Sequence, residues 1–161
     1  ASVGTDIMPH LQPYFEMLAM AVVAGSAPDA RAKGFLRVKD TCMMHAGEVL
    51  YAAFHRILAM QAANYAPPMP ERFKVAGREG CAQLKGLLVN YEAGGFISQH
   101  DAFLASELAY VMTGGNLDSG TEVDEHWILR LEREAFMRLA ETPLTQARIR
   151  HMLETGKPLR N

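Results

Sequence analysis

The sequence predicts an all-α fold, a helical bundle of about six helices, and three observations predict it. Several stretches repeat apolar residues at i, i+3, i+4 and i+7, the period of an amphipathic helix. No stretch alternates apolar and polar residues over strand length with β-branched enrichment. Glycine, proline and Ser/Thr residues punctuate the apolar repeats where helices start and stop. At 161 residues, 49% hydrophobic and 21% charged, the chain has the length and apolar content of one folded domain.

The first helix is expected over about Leu11 to Ala24, with Pro13 near its start, where a missing N–H is harmless, and Gly25 after its end. Ser26 caps a short helix over Pro28 to Lys33, closed by Gly34, and Phe35 to Val38 forms at most a short extended link. A longer, sparsely charged helix follows over about Gly47 to Asn64. Three prolines in four residues (Pro67, Pro68, Pro70) then exclude helix and favour an extended link over 66–72. After Gly77 a helix runs to about Glu92 before Gly94-Gly95. Ser98 caps another, ending near Thr113 before Gly114-Gly115, and the pair reads as an antiparallel hairpin. Thr121, with Asp124 three residues on, resembles a capping box for a helix to Ala140. Thr142 caps the last helix, Pro143 takes its first position and Gly156 stops it.

The penultimate helix carries the most pattern. Val123, Trp127, Leu131, Ala135 and Leu139 form one apolar stripe, with Arg130, Glu134 and Arg138 as a row of alternating charge beside it. Leu129 and Phe136, seven residues apart, fall outside the stripe. Either they are half-buried in a thick helical core or a second surface covers them.

Several function classes find no support. Net charge is −2 with dispersed basic residues, so no Lys/Arg block is available to neutralise a nucleic-acid backbone. The longest apolar run, Met17 to Ala24, is less than half the roughly 20 residues of a bilayer span, and no basic region precedes it as in a signal peptide; a cytoplasmic location is expected, with no membrane partner. Cys42 and Cys81 suit two reduced, partly buried thiols. His10, His45, His55, His100, His126 and His151 include no i, i+3 or i, i+4 pair, so no metal site is expected. His100-Asp101 and Glu125-His126 are adjacent and read as solvated polar faces, with a small helical enzyme site from His100, Asp101 and Glu125 or His126 as a third option. No G-x-S-x-G elbow occurs, and the Gly-Gly pairs lack the strand-turn-helix context of a dinucleotide site; no catalytic residue is assigned.

The stretch from Thr121 to Asn161 supplies what composition does not. Glu132 and Phe136 form an E-x-x-x-F element on a long helix; Thr142 and Thr145 follow at a turn; Glu154, Lys157 and Pro158 end a second helix. This resembles the C-terminal tail of the enoyl-CoA hydratase (crotonase) superfamily. Ser26 to Leu36, with Ala30, Gly34 and Phe35, looks like the short helix that follows the core spiral in that superfamily. The segment between Asn64 and Gly115, with Ala66-Pro67-Pro68-Met69-Pro70 and Val75 to Gly80, is similar to the long bacterial 3-hydroxyacyl-CoA dehydrogenases of fatty-acid β-oxidation, which carry a crotonase-like C-terminal part.

The resemblance implies a single helical domain over 1–161: the end of a crotonase-like core at 1–40, a helical insertion at 41–115, and the tail at 116–161. It implies the helical C-terminal part of a crotonase-like fold without its ββα spiral, and hence without the oxyanion-hole amides and acid/base carboxylates that the spiral holds. NAD is implied for the dehydrogenase part of a parent protein, with no cofactor in this chain. Phe136 occupies the position of an aromatic that holds coenzyme A, and Lys157 is the candidate lysine, although the usual lysine position falls on Thr155. Leu129 and Phe136 become candidate interface residues. The implied partners are the upstream catalytic core, further copies of the chain and an acyl-CoA. The implied function is a C-terminal segment supporting assembly and acyl-CoA binding in a 3-hydroxyacyl-CoA dehydrogenase/enoyl-CoA hydratase. The alternative is a free-standing helical protein-interaction module with no acyl-CoA role.

Overall fold

A computed structural model describes residues 6–161 and divides them into two compact units, residues 6–21 with 70–161, and residues 22–69. Seven α-helices and one two-stranded sheet are present among the described residues, in agreement with an all-α bundle. None of the helices is long and apolar enough to cross a membrane.

In the first unit, α1 (Met8–Ala19) packs on a hairpin of α4 (Gly77–Ala93) and α5 (Gln99–Met112). Phe15 from α1, Cys81, Leu84 and Leu88 from α4, and Ala105 and Ala109 from α5 make the core, and Phe15 is fully buried. The small residues on α5 let its backbone approach α4 closely, and Met8, Leu11, Tyr91 and Leu108 fill the margins. Then α6 (Glu125–Ala140) packs on α5, and α7 (Pro143–Thr155) on α6.

Most of the punctuation falls where the sequence places it. Ser98 accepts from the Asp101 N–H while Asp101 accepts from the Ser98 N–H, a complete capping box. Thr142 caps α7, and Gly156 ends it in the left-handed region at φ 68°. The first helix departs from expectation: it runs from Met8 and stops at Ala19, well before Gly25, and Pro13 lies inside it. The chain leaves the helix through Ala21, itself at φ 52°, so a residue without glycine's freedom makes the turn.

Two strands were not expected. Arg72–Lys74 (β1) pairs antiparallel with Glu122–Asp124 (β2), with Phe73 opposite Val123. The pairing draws residues 122–124 out of the helix, so α6 starts at Glu125 and its cap is Asp124, which accepts from the Trp127 N–H at 2.9 Å; Thr121 is not its cap. Beside this ribbon Gly77 sits at φ 65°, and a Cβ there would lie 2.5 Å from the Leu117 carbonyl oxygen, so only glycine fits.

The second unit comprises α2 (Ala27–Ala32), a 3₁₀ turn at Ala46–Glu48 and α3 (Val49–Ala62), followed by an extended proline-rich link. Ser26 caps α2 by accepting from Asp29, and Lys33 bonds the Asp29 carboxylate at 2.5 and 2.6 Å. That lysine, with the Gly25 N–H, holds the Asp29 carboxyl below the usual carboxylate range. Arg31 donates to the Asp40 carbonyl and lies 3.4 Å from Cys42 Sγ. No side chain of residues 22–69 is buried. Cys42 is exposed whereas Cys81 is buried, and both are free thiols.

Candidate functional site

The stripe on α6 faces inward: Leu131 and Ala135 are buried, Trp127 and Leu139 half-buried, and Val123 is buried on β2 beside them. Trp127 Nε1 donates to the Gly114 carbonyl at 3.1 Å, and Arg130 lies 4.2 Å above the Trp127 ring. The predicted charge row holds only in part. Arg130 and Glu134 are 4.0 Å apart, but Arg138 turns across to Glu107 of α5, where its Nε and Nη2 both donate to one carboxylate oxygen, at 3.1 and 2.6 Å.

Leu129 and Phe136 point away from the core. They share one side of α6, about 10 Å apart along the axis, and are 44% and 57% exposed. Met137 beside them and Ile149, Met152 and Leu153 on α7 are exposed as well. Lys157 follows the Gly156 turn and is exposed; its N–H donates to Thr155 Oγ1, and Thr155, at the usual lysine position, donates its hydroxyl to the His151 carbonyl.

The junction of α5 and α7 is where sequence reasoning fails. His100 is not on a solvated face: it is buried, and its Nε2 lies 3.1 Å from the buried Thr145 Oγ1, which is 2.7 Å from Thr142 Oγ1. Asp101 is not free either, pairing with Arg148 at 2.7 Å while serving the capping box. Arg148 also donates to the Asn161 side-chain oxygen at 2.7 Å and main-chain oxygen at 3.0 Å, and Ser98 Oγ donates to that same main-chain oxygen. Burial, with the positive charge of Arg148 behind it, pushes the His100 pKa below its ordinary value against the pull of Asp101. Burial raises the Asp101 pKa, but Arg148 and Ser98 outweigh it and hold the carboxyl below the usual range. By contrast Glu125 and His126 are exposed, as expected.

A histidine beside a hydroxyl invites a catalytic reading. The geometry opposes it: the surface depression next to the pair is lined by His100, Phe103 and Leu144 but not by Thr145, so the hydroxyl does not reach it. The pair is a polar latch between two helix N-termini. A separate cleft of about 360 Å³ lies between the end of α1, α5 and residues 158–160, lined by Leu18, Ile97, Leu104, Leu108, Arg148 and Leu159. Neither Phe136 nor Lys157 lines it.

No group of three or more His, Cys, Asp or Glu among the described residues could hold a metal. Nor do the glycine pairs suit a dinucleotide, since Gly94-Gly95 and Gly114-Gly115 follow helix C-termini, where backbone carbonyls rather than N–H groups face a phosphate.

No family model and no solved structure matches the chain. Over 158 residues, 98% of its length, it is 40% identical to a Bacillus subtilis (strain 168) protein described as a probable 3-hydroxyacyl-CoA dehydrogenase. The match spans 20% of that protein, so the chain is similar, nearly end to end, to one fifth of a probable 3-hydroxyacyl-CoA dehydrogenase.

Proposed function

We propose that this chain is a helical segment of a 3-hydroxyacyl-CoA dehydrogenase of cytoplasmic fatty-acid β-oxidation with a crotonase-like part, and that it contributes assembly surface and part of an acyl-CoA pocket. The observation that carries the reading is 40% identity over 98% of the chain to one fifth of a probable 3-hydroxyacyl-CoA dehydrogenase. In this reading Phe136 stacks against coenzyme A, Lys157 faces its phosphates, and Leu129 with Phe136 meets the upstream core or another copy. The reacting groups lie in that core, and NAD serves the dehydrogenase part. The exposure of Leu129 and Phe136 supports the assignment, because apolar side chains outside a closed core need a cover.

Calorimetric titration of the chain with coenzyme A and with crotonyl-CoA tests the pocket. Binding that weakens about tenfold on Phe136→Ala and less on Lys157→Ala is expected; binding indifferent to both would remove the acyl-CoA role. A second reading, a free-standing helical interaction module, is favoured by one feature, the closed core of residues 6–21 and 70–161. A monomer that binds neither ligand would favour it.

A further inference from the structure

The unit formed by residues 22–69 has no buried side chain, yet it contains the most apolar helix of the chain. On α3, Leu50, Tyr51, Phe54, Ile57 and Leu58 fall within about 120° of one another around the axis. Leu50 is 82% exposed, Ile57 61% and Phe54 56%. Arg56, the only Lys, Arg, Asp or Glu on the helix, lies on another side. A 14-residue helix is at the lower limit of what persists alone in water, so α3 requires a surface that covers this stripe.

Area decides between two occupants. A helix of this length is about 21 Å long and 10 Å across, so one side offers roughly 330 Å². A stable contact between free partners takes about 800 Å² from each. Pairing with the α3 of a second copy therefore gains too little by itself. A surface on the same polypeptide does not need that area, because tethering supplies an effective concentration in the millimolar range. Four fifths of the Bacillus subtilis relative lie outside the matched region.

We infer that α3 docks through Leu50, Phe54 and Ile57 onto an apolar surface supplied by the remaining four fifths of a dehydrogenase-like polypeptide, and that this contact orders residues 22–69. The inference rests on the segment reading above. It assigns α3, rather than the Phe136 face of α6, as the main anchor to the rest of the enzyme.

The test puts this chain in place of the matching fifth of the full-length Bacillus subtilis relative, which keeps the tether, and follows hydrogen exchange across α3 in the chimera and in the chain alone. Protection of α3 at least tenfold greater in the chimera is expected, lost on Leu50→Asp/Ile57→Asp and kept on Leu129→Asp/Phe136→Asp. Protection that survives the first pair and is lost on the second, or α3 as open in the chimera as in the chain alone, would overturn the inference; dehydrogenase activity retained by the chimera would leave the segment reading standing, and its loss would remove both. In the chain alone rapid exchange across α3 is expected, and strong α3 protection in the isolated monomer, only in a dimer, or only on phosphatidylglycerol vesicles would overturn the inference in favour of self-sufficiency, self-association or a lipid surface.

Discussion

Helices α3 and α4 are of similar length, and the less apolar of the two is the one that is buried. α4 carries Arg78, Glu79, Lys85 and Glu92, yet it sets Cys81, Leu84 and Leu88 into a core against Phe15. Of those four residue types α3 carries Arg56 alone, and it leaves Leu50, Phe54 and Ile57 in solvent. Apolar content thus states how much a helix needs a partner; it does not state that the same chain provides one. α4 has its partners because α5 follows it after a short turn and α1, more than 50 residues earlier in the chain, packs across both.

The largest expected effect is on stability. Leu84→Ala should lower the unfolding free energy by about 2–5 kcal/mol, as for other buried leucines, whereas Phe54→Ala should change it by no more than about 0.5 kcal/mol. Parallel urea melts followed by circular dichroism check both, and equal losses would break the contrast between the two units.

The second is a dependence on pH confined to the first unit. His100 has a folded pKa below its unfolded value, so the unfolded chain takes up the proton first. Its contribution is complete above about pH 7 and is lost as pH falls through roughly 6.5, until the folded imidazole is protonated too. Protonation places a cation beside Arg148 and at the N-termini of α5 and α7, with Asp101 the one opposing charge. Melts of the first unit should therefore lose stability between pH 7 and 5, and His100→Gln should flatten that slope. A slope unchanged by the substitution would mean that the latch is not the titrating element.

The smallest effect concerns the caps. Ser98→Ala removes half of a capping box within a packed junction and should cost about 1 kcal/mol. Ser26→Ala removes a similar cap from α2, which buries nothing, and should leave the main unfolding transition where it is. If both shift it equally, residues 22–69 unfold together with the core.

Much of the helical plan was legible. Ser26, Ser98, Thr142, Gly34 and Gly156 act where the sequence puts them, because a cap bonds to backbone only three or four residues away. The inward stripe of α6 and the outward Leu129 and Phe136 were legible for the same reason, since a 3.6-residue period is a local property. The β ribbon was not, because three residues carry too short a pattern and the pairing joins positions about 50 apart. Nor was the burial of His100, whose partner Thr145 lies 45 residues on, nor the turn of Arg138 away from Glu134 to Glu107, 31 residues back.

By itself the sequence determined that this chain is helical, where most of its helices stop, and which side chains would be left over once each helix had turned its stripe inward. Tertiary structure alone decided that Asp124 rather than Thr121 caps α6, that a histidine is buried between two helix ends, and that one apolar helix has a core while another has none. The physical reason is range. Propensity, period and capping act over one or two turns, whereas burial and ion pairing depend on which distant segments meet.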